Sequence, residues 1–174
     1  MRRVYLDQNK WIDLARAASG RSDGEPFIDA LAVCRFGVEN GLASFPLSSV
    51  HYMETLKRKD AGSRRRLATV IRELSRYHSI APARPVLRAE IDATLNSRYG
   101  KPTSPKPLRV FGVGVWFALG VNREPYASPE AVVLPPGERS RLEALANDLL
   151  QWAALAGPGP GIAVPSTKGR PFSR

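Results

Sequence analysis

The sequence predicts an α/β fold of three layers, α/β/α, around a short and mainly parallel sheet. Two observations predict it. The candidate elements run strand, helix, helix, strand, helix, helix, an order that suits a parallel sheet covered by helices. The 174 residues, 43% of them hydrophobic, are enough for one core and too few for two independent domains. Residues 1–156 are assigned to this domain, and 157–174, opening on Gly157-Pro158-Gly159-Pro160-Gly161, to a flexible tail.

Arg3 to Leu6 carries β-formers and reads as the first strand. A helix follows from about Asn9 to Ala18 with Trp11, Ile12, Leu14, Ala15 and Ala18 as its apolar set, then a loop over Gly20 to Gly24. Pro26 suits the first turn of a second helix, whose Phe27, Leu31, Cys34 and Val38 form one stripe before Asn40-Gly41 ends it. Leu42 to Pro46 resembles a brief buried strand. Ser48 or Ser49 then caps a helix expected to turn Val50, Met53 and Leu56 inward. Arg64 to Tyr77 is helical, with Leu67, Val70, Ile71 and Leu74 on one side, and Ile80-Ala81 is a very short strand. Pro85 to Leu95 puts Leu87, Ile91 and Leu95 inward. Asn96 to Pro107 is a loop because Gly100, Pro102, Pro105 and Pro107 interrupt it. Leu108 to Leu119 reads as irregular buried chain or strand. Glu138 to Ala156 is a helix with Leu142, Leu145, Leu149 and Trp152 as its inner face.

Composition bounds the function. Lysine and arginine number 26 against 16 acidic residues, a net charge of +10 that suits a polyanionic partner such as RNA, although a general arginine preference would produce the same excess. The single Cys34 precludes an internal disulfide and a cysteine-based zinc site. No apolar run has signal-peptide or membrane-spanning length, so the expected location is cytoplasmic with no membrane partner. Gly112-Val113-Gly114 is too short for a dinucleotide fingerprint, and no phosphate-binding loop motif occurs.

The chemistry lies in the carboxylates. Ligands of a parallel sheet bind beyond the carboxyl ends of its strands. Asp7 stands there on the first strand, and Glu54 lies just inside the helix that leaves the second, so the two are expected to converge. Converging carboxylates call for a cation or for strongly shifted pKa values, and hard oxygen ligands suit Mg2+ or Mn2+. Two such ions about 3.5 to 4 Å apart can activate water and stabilise the leaving oxygen of a phosphodiester. Asp7 and Glu54 are the candidate catalytic and metal-binding residues. Asn9 is a supporting group, and Asp13, one turn into the helix, is a further ligand candidate. Each has a plainer reading: helix capping for Asp7, an i,i+4 pair with Arg58 for Glu54, and first-turn charge compensation for Asp13.

The segments Val4-Tyr5-Leu6-Asp7-Gln8-Asn9-Lys10-Trp11-Ile12-Asp13-Leu14 and Phe45-Pro46-Leu47-Ser48-Ser49-Val50-His51-Tyr52-Met53-Glu54-Thr55-Leu56 resemble the opening strand and aspartate, and the second strand and glutamate-bearing helix, of the PIN domain family of metal-dependent ribonucleases. The resemblance covers about the first 95 residues. It implies a PIN-like α/β/α fold, endoribonuclease activity, and a role in RNA processing or as a toxin, with an antitoxin protein as partner. The family also supplies a third carboxylate from a later junction. The candidates here are Glu90 and Asp92, which cannot share one helix face because they are two apart.

Eight basic residues, Lys57, Arg58, Lys59, Arg64, Arg65, Arg66, Arg72 and Arg76, face only Asp60 and Glu73 in the same stretch and are the candidate RNA-backbone contacts; a solvated helix face is the plainer reading. Trp11, Tyr52, Tyr77 and Trp116 could stack on bases or pack in the core. His51, one turn before Glu54, reads as an ordinary surface or packing residue with RNA contact as the alternative, His78 as a helix-end residue, and Ser48 and Ser49 as caps. Two further functional readings stay open: a catalytically inactive RNA-binding module, and a protein-interaction domain without nucleic-acid activity that forms a homodimer through an apolar helix.

Overall fold

A computed structural model describes residues 1–100, 108–121 and 135–157. Among them helix dominates, and strand is confined to four pieces of two or three residues. The order is β1 (Arg2–Arg3), α1 (Gln8–Ala18), a 3-10 helix (Ser22–Phe27), α2 (Ile28–Glu39), β2 (Ala43–Ser44), α3 (Ser49–Lys57), α4 (Ala61–Ser75), β3 (His78–Ile80), α5 (Ala83–Tyr99), β4 (Phe111–Val113), α6 (Val115–Ala118) and α7 (Pro136–Ala156).

The predicted three-layer α/β/α, PIN-like architecture is therefore corrected. Strands β1 and β2 pair in parallel over two residues, and β3 and β4 pair antiparallel over three. A single parallel bridge, Leu47 to Ser79, links the two small sheets. The ladder ends early for a local reason. Pro46 has no N–H to donate immediately after Phe45, and Val4 N–H, bonded to the Ser44 carbonyl, is the last pairing contact of the first strand before the chain turns into α1. The stretch read as irregular buried chain or strand over 108–119 gives three strand residues and then a helical turn, because Gly114, at φ +92°, redirects the chain.

The core is built by helices. Trp11 and Leu14 of α1, Leu31 and Val38 of α2, and Leu67, Val70, Ile71 and Leu74 of α4 pack with Phe45, Leu47, Tyr52, Val115, Ala118 and Leu155. The expected apolar faces of α1, α2 and α4 are thus the ones turned to the core, but Ile12, Phe27 and Cys34 are only partly buried, Pro26 and Phe27 belong to the 3-10 helix rather than to α2, and Ala17 rather than Ala18 faces in on α1. Three other faces are corrected. Helix α3 buries His51, Tyr52 and Thr55, leaving Val50, Met53 and Leu56 exposed. Helix α5 buries none of its residues, so Leu87, Ile91 and Leu95 stand in solvent. On α7, Leu142, Leu145 and Leu149 are exposed, and burial falls on Leu155 and Ala156 at its end.

Boundaries differ too. The loop expected over Gly20 to Gly24 is partly 3-10 helix, pressed so closely on α1 that a Cβ on Gly24 would lie 2.3 Å from the Ala17 nitrogen; only glycine fits there. Helix α5 runs through Asn96 to Tyr99, where a loop was expected, before Gly100 caps it in the left-handed region at φ +59°. His78 belongs to β3, not to a helix end, and its Nδ1 lies 2.9 Å from the Ser44 hydroxyl. The rest of the predicted loop, residues 101–107, and the predicted tail from 158 lie outside the described residues.

Candidate functional site: an acidic pair held by a histidine clasp

The two segments that carry the acidic residues are joined by one imidazole. His51 is buried, and its Nδ1 accepts the N–H of Ser48 at 2.9 Å while its Nε2 lies 2.8 Å from the carbonyl of Leu6. A backbone N–H can only donate and a carbonyl can only accept. The ring is therefore the neutral tautomer with its proton on Nε2. Burial holds its pKa below the usual 6.5, against the opposing pull of the Leu6 carbonyl and of the Glu54 and Asp7 carboxylates. Tyr5 and Trp11 pack on the same ring, with centroids 5.2 and 6.4 Å away. Two residues along, Gln8 Nε2 donates to Thr55 Oγ1 at 3.2 Å. Residues 6 to 8 are thus tied to both ends of the 51–55 turn of α3, and Asp7 and Glu54 both act electrostatically on the imidazole between those ties.

Each carboxylate keeps free capacity. Asp7 Oδ1 accepts the Lys10 N–H at 2.9 Å, so the capping function is real, but the side chain is exposed and its second oxygen is not used by that bond. Glu54 is exposed, and the alternative pair with Arg58 does not form: the Arg58 Nη2 donates to Ser63 Oγ at 3.0 Å instead. Asn9 is exposed beside Asp7. Asp13 lies between Lys10 at 3.4 Å and Arg16 at 3.3 Å, which compensates its charge. Glu90 and Asp92 sit on α5, which packs only marginally on the other described elements. Among the described residues, no three or more His, Cys, Asp or Glu side chains come together as a metal-holding group. By donor chemistry, two exposed carboxylates such as Asp7 and Glu54 suit a hydrated Mg2+ or Mn2+, since such ions retain several waters and take one or two carboxylates; two carboxylates do not supply the ligands of a two-ion centre.

The basic run divides into structural and solvent-facing members. Arg64 donates Nε to the Ala156 carbonyl at 2.7 Å and Nη1 to the Arg58 carbonyl at 2.9 Å, capping the C-terminus of α7. Arg72 pairs with Asp148 at 2.5 Å and lies over the Trp152 ring. Lys57, Lys59, Arg65, Arg66 and Arg76 are exposed. Of the aromatic residues considered for base stacking, Trp11, Tyr52 and Tyr77 are buried and are core residues. Burial also raises the Tyr52 hydroxyl to about 12, with Ser79 Oγ 3.3 Å away. Trp116 packs against the core as well.

Sequence reasoning treated His51 as ordinary packing and overlooked its part in the site. Its position three residues after Ser48 is the available signal, since a side chain there can reach back to the N-cap N–H. Arg16 and Arg21 were also overlooked; they meet Arg58 and Arg66 around a pocket whose α1 lining, Ile12 to Arg16, lies about one and a half to two and a half turns along the helix from Asp7. Comparison with protein-family models, curated proteins and solved structures finds no match for this chain. No helix among the described residues is long and apolar enough to cross a membrane.

Proposed function

We propose that the chain is a cytoplasmic, divalent-metal-dependent endoribonuclease that hydrolyses RNA phosphodiester bonds, with Asp7 and Glu54 as its catalytic carboxylates. The observation that supports this reading is the His51 clasp, which ties the aspartate-bearing segment to the glutamate-bearing helix while both carboxylates stay exposed. These are also the two segments that resemble the PIN ribonucleases. Asp7 and Glu54 would hold one hydrated Mg2+ or Mn2+, which when bound supplies an activated water. Asn9 orients water beside Asp7, and Lys57, Lys59 and Arg65 attract the RNA backbone. A toxin role with an antitoxin partner is the biological setting we attach to this activity.

The test is cleavage of single-stranded RNA in Mg2+ by the full chain and by Asp7→Asn. Asparagine caps a helix as well as aspartate does, so this variant keeps the fold. Loss of one of the two carboxylate ligands should lower the rate by on the order of 100-fold or more. Undiminished cleavage would remove Asp7 from the mechanism. A second reading, an inactive RNA-binding module, is favoured by the lack of a third acidic side chain at the pair among the described residues. Salt-sensitive RNA binding with no metal-dependent cleavage by the unmodified chain selects it.

A further inference from the structure

A pocket of about 80 Å3 lies between the C-terminal half of α1, the 3-10 helix and the α3–α4 turn. About 15 Å3 of such space admits one water, so the pocket has room for several waters or one tetrahedral oxyanion. Arg16, Arg21, Arg58 and Arg66 line it together with Ser19 and Ser63. Four guanidiniums repel one another unless anions compensate them, and the anions present do so only in part. Asp23 takes Arg21 on both oxygens, at 2.8 and 3.2 Å, and lies 3.3 Å from Arg16 Nε. Asp13 also pairs with Arg16, and Asp60 stands at the longer distance of 3.9 Å from Arg66. Arg58 has no carboxylate partner among the described residues; its Nη2 bonds Ser63 Oγ, and its Nε is buried without a partner. The apolar wall of Ile12 and Leu67 excludes water from one side, which strengthens charge-assisted bonds to whatever enters.

We infer that this arginine pocket is a binding site for a phosphate group. Asp23 already shows the required chemistry, an oxyanion held by two of the pocket's guanidiniums, Arg16 and Arg21, and it competes for them with an incoming anion. Guanidinium forks match phosphate oxygens geometrically, and Ser63, whose oxygen accepts from Arg58, keeps its hydroxyl proton for a further phosphate oxygen, whereas Ser19 spends its proton on the Ala15 carbonyl. The pocket shares two helices with the acidic pair: Arg58 follows Glu54 by about one turn, roughly 6 Å, at the end of α3, and the α1 lining residues Ile12 to Arg16 follow Asp7 by about 8 to 14 Å along the helix axis. A phosphate held there belongs to an RNA strand whose neighbouring linkage reaches Asp7 and Glu54. That assignment of the phosphate to RNA rests on the nuclease reading, whereas the pocket's affinity for phosphate does not.

The experiment is calorimetric titration of the full chain with inorganic phosphate, and of the Asp7→Asn chain with one RNA oligonucleotide carrying either a 5′-phosphate or a 5′-hydroxyl. Inorganic phosphate is expected to bind, Asp23→Asn to tighten it about threefold by removing the competitor, and the double variant Arg58→Gln/Arg66→Gln to weaken it about tenfold. Tighter binding of the 5′-phosphorylated strand, abolished by the double variant, identifies a terminal phosphate as the ligand; equal binding of both strands, weakened by the double variant, identifies a backbone phosphate. The inference is overturned if inorganic phosphate binds neither the unmodified chain nor Asp23→Asn, or if a folded double variant binds it unchanged. Phosphate binding without Mg2+-dependent cleavage would retire the nuclease reading alone.

Discussion

Helices α4 and α5 are consecutive helices of the chain, each carries an apolar stripe at helical spacing, and they end up in opposite environments. On α4, Leu67, Val70, Ile71 and Leu74 are at most 2% exposed; on α5, Leu87, Ile91 and Leu95 are 46% to 57% exposed. The difference teaches that periodicity reports the existence of an amphipathic face and not what covers it. Burial on α4 comes from α1, α2, α3 and α7 closing around it, whereas α5 makes only marginal contact with the other described elements.

The sharpest way to break this comparison is a matched pair of substitutions. Ile71→Ala should lower stability by about 2–5 kcal/mol, since it opens a cavity in a closed core, and Ile91→Ala by no more than about 0.5 kcal/mol. Urea denaturation of both variants measures this, and equal losses would mean that the α5 face is covered in solution. Acid supplies the next largest effect. Burial holds both His51 and His78 below the usual 6.5, with Arg76 and Arg3 adding to the effect at His78. The unfolded chain therefore binds more protons than the folded one once pH falls below about 6.5. Stability is fully present above that value and falls as pH drops toward the depressed folded pKa values, at a limiting rate of about 1.4 kcal/mol per pH unit for each histidine. Replacing His51 by Gln should flatten the decline measured between about pH 7 and pH 5.5, and an unaltered slope would exclude His51 as its source. The smallest effect concerns the two helix ends. Both α4 and α5 finish in the left-handed region, α4 at Arg76 with φ +47° and α5 at Gly100 with φ +59°. Arg76→Gly should raise the midpoint of thermal unfolding by the equivalent of about 0.5–1 kcal/mol, and Gly100→Ala should reduce the helical circular dichroism of α5 with little change in that midpoint.

Much of the helical scaffold was readable in the sequence because apolar spacing and packing agree in α1, α2 and α4. The face of α3 was not, and the reason is chemical. His51, Thr55 and Tyr52 are buried through bonds to Leu6, Gln8 and Ser79, so polar groups fill positions that a hydrophobicity pattern assigns to solvent. The sheet was overestimated because β-forming residues at Arg3–Leu6 and Leu42–Pro46 signal extended chain without specifying how long the pairing lasts; a proline and an early turn cut it to two residues. The acidic pair could be named from position alone. The clasp that holds it, and the two arginines from α1 and its following loop that complete the basic pocket, depend on contacts between distant segments that no local spacing encodes.

Arg64 gives these segments a shared mechanical fate. One planar fork suspends the carbonyls of residues 58 and 156 together, and its stiffness leaves little slack between them. Unwinding the final turn of α7 would therefore let go of the short connection that carries Arg58, and a ligand gripping Arg58 would in turn hold that distant helix end in place.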